Sequence, residues 1–181
     1  GRAGPGRRRT RVSETPEPAL PEELDRQAER AMRRLCDKEL RVATAESCTG
    51  GLLASLLTDI EGCGHGFDRG LVTYSGEAKV QLLGVPKALV DDNDAVNARV
   101  AKAMAEGALA KGDADIALSV TGFAGPAGDS CEEGLVFMAC AHRGAETIVE
   151  ERHFGAIGRG PVRIEALKVL IELMERAIDA A

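Results

Sequence analysis

Apolar positions recur along this chain first at helical and then at strand spacing, and the switches between the two mark out its elements. After Pro21, the positions Leu24, Ala28, Met32 (or Ala31) and Leu35 fall on one face of a predicted helix. The short apolar run Leu40–Ala45 reads as a strand. Leu52–Leu57 then opens a helix that reaches about Ile60, and Gly62–Gly66 forms a loop. Leu71–Ser75 reads as a second strand, and Glu77–Leu83 as a short helix stopped by Gly84 and Pro86. Asn97 is placed to cap a helix carrying Val100, Met104 and Ala108 and closing at Gly112. Asp115–Val120 is an apolar strand, and Thr121–Glu133 is a loop dense in Gly and Pro. Gly134–Ala141 and Thr147–Val149 flank Arg143-Gly144 and read as a hairpin. A last helix starts near Pro161, with Ile164, Leu167, Leu170 (or Ile171) and Met174 inward.

Strands thus alternate with helices until a hairpin and a final helix close the chain. This order predicts an α/β fold, a single three-layer α/β/α domain on a mixed sheet, over residues 20–181. Residues 1–19 are rich in Gly, Arg and Pro without periodicity and are expected to form a disordered tail.

Composition narrows the picture. Aromatics make up 3% of the chain, with no Trp and the single Tyr74, so the core is built from Ala, Val, Leu and Ile. One tyrosine cannot make a stacking platform for single-stranded nucleic acid. Residues 1–13 hold five Arg and no acid, so the net charge of −6 becomes −11 for the rest of the chain. Such an acidic body disfavours nucleic acid as a partner. No apolar run approaches the ~20 residues that span a bilayer, so no membrane partner is expected. Cys36, Cys48, Cys63, Cys131 and Cys140 are odd in number and lack CxxC spacing, which points to a reducing, cytoplasmic compartment. Neither they nor His65, His142 and His153 have metal-ligand spacing, so no metal is expected.

Four polar clusters lie at or just beyond predicted strand ends, where α/β sheets bind ligands. In Ala45-Glu46-Ser47-Cys48-Thr49-Gly50-Gly51, a strand turns into a helix. Ser47 there is either a nucleophile or a simple N-cap, and Cys48 is either a rival nucleophile or a small buried side chain. The N–H groups near Thr49, Gly50 and Gly51 are candidates to hold an anion. The second cluster, Val72–Lys79, brings Tyr74 and Lys79. A buried lysine can serve as the base for a serine, and Tyr74 can relay the proton or donate to an oxyanion. The third, Val120–Gly128, contains Thr121 and Gly122 ahead of a Gly-rich loop. The fourth, Gly155–Arg163, sets Arg159 and Arg163 at the start of the last helix, an arrangement suited to phosphate, although Arg163 also fits a surface ion pair.

In this order the clusters resemble the CinA carboxy-terminal domain family, which includes nicotinamide mononucleotide deamidases. The resemblance rests on Ala45–Gly51, Asp68–Ser75, Ala78-Lys79, Leu82–Val85, Val120–Gly122, Ala124–Pro126, Gly158-Arg159 and Val162-Arg163, and it spans about Leu24 to Ala177. It implies hydrolysis of the carboxamide of nicotinamide mononucleotide, without cofactor or metal, in pyridine nucleotide recycling. It further implies a homo-oligomer and a stand-alone form of a domain elsewhere fused to a larger one. By motif, Ser47 is the implied nucleophile, assisted by Tyr74 and Lys79. Thr49, Gly50, Gly51, Thr121, Gly122, Arg159 and Arg163 are the implied substrate contacts. Gly76, Asn97, Ala127 and Asp129–Glu133 depart from the family pattern. A nucleotide-binding module without catalysis, and an amidase for another carboxamide, are the alternatives.

Overall fold

The computed structural model describes residues 20–91 and 95–181; the tail expected to be disordered lies outside them. Five strands form one sheet in the order β2-β1-β3-β4-β5. They are β1 (Val42–Glu46), β2 (Phe67–Val72), β3 (Ile116–Gly122), β4 (Leu135–His142) and β5 (Ile148–His153). β2, β1 and β3 run parallel, and β4 and β5 return antiparallel as the expected hairpin. The helices are α1 (Glu22–Asp37), α2 (Leu52–Thr58), α3 (Gly76–Leu83), α4 (Lys87–Val90), α5 (Ala98–Ala110) and α6 (Arg159–Ala180). Among the described residues, no helix is long and apolar enough to cross a membrane.

Alternation along the strands sorts the core into two layers. Val42, Ile116, Leu118, Val120, Val136 and Met138 join the buried faces of α1, α2 and α6. The opposite face of the sheet is lined by smaller residues. Ala43, Ala45 and Ala117 pack with Val100, Met104 and Ala108 of α5, and Ala139 and Ala141 pack with its Ala101 and Ala105. Small residues on both sides bring helix and sheet close, and the Ser119 hydroxyl donates directly to the Ala101 carbonyl at 2.6 Å. The three layers explain how a chain poor in aromatics fills its interior.

Several element ends differ from the sequence expectation. The second strand is Phe67–Val72 rather than Leu71–Ser75. It is an edge strand carrying Asp68, Arg69 and Gly70, so its polar residues mask the strand pattern, and its pairing with β1 ends at Glu46–Val72. Ser75 instead caps α3, its hydroxyl accepting from the Ala78 N–H at 3.1 Å. Asn97 caps α5 as expected, accepting from the Val100 N–H at 2.9 Å, but that helix stops at Ala110. α2 ends at Thr58 and α6 begins at Arg159, two residues before Pro161.

One glycine sets the distance between α3 and α5. A Cβ on Gly107 would lie 2.0 Å from the carbonyl oxygen of Leu83, the last residue of α3. Replacing a helix-interior glycine by alanine ordinarily stabilises by about 0.5–1 kcal/mol. Here the contact is with backbone and cannot yield by a rotamer change, so Gly107→Ala is expected to destabilise by about 2 kcal/mol. Urea unfolding of the variant, read against the parent, checks the sign.

Candidate active site

The turn after β1 is organised by a residue that the sequence reading passed over. Glu46 is fully buried at the end of the strand. Its Oε2 accepts from the Thr49 hydroxyl at 2.5 Å, the Gly51 N–H at 3.2 Å and the Leu53 N–H at 3.0 Å, and its Oε1 accepts from the Ala54 N–H at 2.8 Å. Positive φ angles at Gly50 and Gly51 allow the chain to curl so that these donors converge on one carboxylate. The free N–H groups of the α2 N-terminus are thus capped by the protein's own anion. An acid directly before a turn of Ser, Cys, Thr and two Gly was the available signal. Its position in an apolar strand hid it.

This arrangement corrects one expectation. The N–H groups near Thr49 were candidates to hold an anion or oxyanion. The Gly51 N–H and the Thr49 hydroxyl are instead bound to Glu46, and the Gly50 N–H donates to the Ser47 carbonyl at 3.0 Å.

Ser47 follows Glu46 and is held in line with the sheet by its N–H, which donates to the Val120 carbonyl at 3.0 Å. Its neighbour is Lys79, from the first turn of α3, which is only 1% exposed. Lys79 Nζ lies 3.1 Å from Ser47 Oγ and 3.4 Å from the Tyr74 carbonyl oxygen. Burial pushes the lysine pKa below its ordinary 10.5, with a weak opposing pull from Cys48. Among the described residues, no carboxylate pairs with Lys79 to restore its charge. Burial also pushes the Cys48 thiol up to about 12, so at neutral pH it remains a protonated, inert neighbour.

Ser47 and Cys48 open onto a cleft of about 240 Å³, walled by Tyr74, Gly122, the Phe123–Ala127 segment and Arg159. The wall is anchored at its base, where the Phe123 N–H donates to the Leu135 carbonyl at 2.9 Å and the Gly134 N–H to the Phe123 carbonyl at 2.7 Å. Tyr74 stands at the rim with 70% of its surface exposed, and it meets Lys79 through its backbone carbonyl rather than its hydroxyl. Thr121 is buried on β3, and its hydroxyl donates to the Ala95 carbonyl at 3.1 Å, which ties the sheet to the segment before α5. Arg163 turns toward the back of the site, where its Nε donates to the Cys48 carbonyl at 2.7 Å and latches α6 onto the turn. Of the expected site residues, the structure therefore gathers Ser47, Tyr74, Gly122 and Arg159 at the cleft, with Lys79 buried beside Ser47. It places Thr49, Gly50, Gly51, Thr121 and Arg163 in the frame around it. Among the described residues, no cluster of His, Cys, Asp and Glu is arranged to hold a metal ion.

Removing the Glu46 carboxylate would leave several buried donors without an acceptor. Glu46→Ala is expected to destabilise by about 3 kcal/mol, read as a lowered urea midpoint. An unchanged midpoint would show that water replaces the carboxylate without loss.

Comparison with known proteins places this geometry in a family. The family model of the CinA C-terminal domain matches residues 24–178. A CinA-like protein of Geobacter sulfurreducens is 44% identical over 162 residues, which are 87% of this chain and 39% of that protein. A CinA-like protein of Akkermansia muciniphila is 48% identical over 118 residues, 64% of this chain and 28% of that protein. The chain thus spans well under half the length of these curated relatives. Among solved structures, the competence/damage inducible protein CihA of Agrobacterium tumefaciens superposes with a TM-score of 0.83 at 38% identity, covering 88% of this chain and 98% of that one. The competence damage-inducible protein A (ComA) of Klebsiella pneumoniae superposes with a TM-score of 0.80 at 32% identity, covering 86% and 97%. With the fold, the motifs and the family model in agreement over nearly all the described residues, the chain belongs to the CinA C-terminal domain family.

Proposed function

We propose that the cleft hydrolyses the carboxamide of nicotinamide mononucleotide to nicotinate mononucleotide and ammonia. The observation that carries this reading is the buried Lys79 amine 3.1 Å from the Ser47 hydroxyl, with a pKa lowered by burial. A neutral amine at that distance is a general base, and a serine beside it is an activated nucleophile. The nucleotide part of the reading is supported by the family resemblance and by Arg159 in a cleft whose described lining residues include no carboxylate.

In the first half-reaction, Ser47 Oγ attacks the carboxamide carbon and its proton passes to Lys79 Nζ. The carbonyl oxygen becomes an oxyanion. The Gly50 and Gly51 N–H groups are already engaged, which leaves the N–H groups of Cys48 and Thr49, neither used by the backbone bonds of the turn, as its donors. Lys79 then returns the proton to the leaving nitrogen, ammonia departs, and the acyl group stays on Ser47. In the second half-reaction, water attacks the ester while Lys79 accepts its proton. As the ester C–O bond breaks, Lys79 gives that proton to the departing Ser47 oxygen, which restores the hydroxyl and the neutral amine, and the acid product ionises to the carboxylate as it leaves. Tyr74 at the rim covers the ring end of the substrate, and Arg159 meets its phosphate.

Ammonia release from nicotinamide mononucleotide, with nicotinamide and NAD as comparison substrates, tests the reading. Ser47→Ala is expected to abolish release, with a loss of about 10⁴-fold or more, while the melting temperature holds. Full activity in that variant would remove Ser47 as nucleophile. Release from a different amide alone would keep the chemistry and change the substrate. Binding of the mononucleotide without turnover would favour a non-catalytic module.

The lowered Lys79 pKa also fixes two pH dependences. Activity requires the neutral amine, so kcat/KM rises with pH through the lowered Lys79 value, and its midpoint falls below 10.5. Between that value and 10.5 the unfolded chain holds one proton more than the folded chain, so stability also rises with pH across this window. Lys79→Met is expected to lose activity, flatten that slope and be at least as stable as the parent at neutral pH. A destabilised Lys79→Met protein would mean that the lysine is charged and paired in the folded state.

A further inference from the structure

We propose that Gly125 is a positioning residue for Arg159, and that this pair makes the cleft select a phosphate-bearing amide over its dephosphorylated counterpart. The inference rests on the deamidase reading for its substrate and on geometry for its mechanism. Arg159 is the first residue of α6 and is exposed at the cleft. Among the described residues it has neither an ion pair nor a hydrogen bond. No acid among the described residues lines the cleft, and the group beside the guanidinium is the loop at Gly125.

The approach is close and broadside. A Cβ built on Gly125 would lie 2.8 Å from Arg159 Nη2, 3.1 Å from Cζ and 3.4 Å from Nε. Those three guanidinium atoms are the nearest heavy atoms it would meet. Three atoms of one planar group at such similar distances mean that the group lies along the loop rather than pointing end-on at it. A missing side chain at position 125 therefore makes the seat for the guanidinium. Pro126 stiffens that seat by fixing its own φ and by holding the residue before it in extended conformations. A guanidinium held against a stiff wall loses less freedom when it binds a phosphate, and its planar fork is oriented for a bidentate contact.

The same geometry makes Gly125→Ala an unusually clean probe. Gly125 is not among the residues with positive φ, so alanine suits its backbone. The three nearest atoms that the added methyl would meet all belong to the far end of a flexible side chain, which must swing out of the way. Folding is left intact while the guanidinium is displaced.

The test is a double-mutant cycle on the full chain: parent, Gly125→Ala, Arg159→Ala and the double variant. KM and kcat are measured for ammonia release from nicotinamide mononucleotide and from nicotinamide riboside. Gly125→Ala is expected to raise KM for the mononucleotide about tenfold with kcat and melting temperature held, and to move KM for the riboside less than twofold. In the Arg159→Ala background, adding Gly125→Ala should change nothing further. An unchanged KM in Gly125→Ala, or an effect of equal size with Arg159 absent, overturns the proposal. If the parent turns over neither substrate, the deamidase reading fails separately, and the same cycle is read as the Kd for ribose 5-phosphate by calorimetry. A tenfold weakening that vanishes with Arg159 then upholds the seat. Additivity, or no binding by the parent, overturns it.

Discussion

The site depends on one buried carboxylate gripping the start of a helix. Glu46 ends the strand that supplies Ser47, and its two oxygens accept from one hydroxyl and three backbone N–H groups of the turn and α2. Burying a carboxylate is unfavourable unless donors surround it, and here they do. Strand and helix are therefore joined by a side chain as well as by the chain itself. Ser47 sits directly beside that joint. Its N–H is fixed to Val120, its carbonyl accepts from Gly50, and the next carbonyl is held by Arg163 from α6. The nucleophile's backbone is thereby anchored to the sheet, to its own turn and to a helix distant in sequence.

The reactivity of Ser47 depends on a second, apolar constraint. Among the described residues Lys79 has no counter-ion, and burial keeps its pKa low. The helix that carries Lys79 packs closely on α5, with the Leu83 carbonyl against Gly107 and Leu83 itself in the core with Val100 and Met104. The helix carrying the base is thus fixed by packing on α5. The small residues on this face of the sheet let α5 lie close to the strands.

Much of this was legible in the sequence, and the gaps have physical causes. α1 and α6 announce themselves by helical spacing, and their predicted inward residues enter one core with the sheet, with Ile164 the most exposed of them. The Asn97 cap and the β4–β5 hairpin were legible because caps and tight turns use few residue types. β2 was misplaced because an edge strand needs no apolar alternation, and its Asp68 and Arg69 face other charges instead. Ser47 and Lys79 stand 32 residues apart, so no local pattern pairs them, and it was their motifs in combination that brought them together. The roles of single hydroxyls and N–H groups were the least legible. Thr49, Gly51 and Thr121 have partners that depend on where Glu46 and Ala95 fall in space.

The position of Tyr74 has a consequence of a different kind. The chain has no tryptophan and this single tyrosine, and the structure stands it at the mouth of the cleft with most of its ring in solvent. The intrinsic near-ultraviolet emission of the protein therefore arises chiefly from one ring at the entrance to its own cleft. Whatever enters passes that ring, and its arrival is written in the emission without any label being attached.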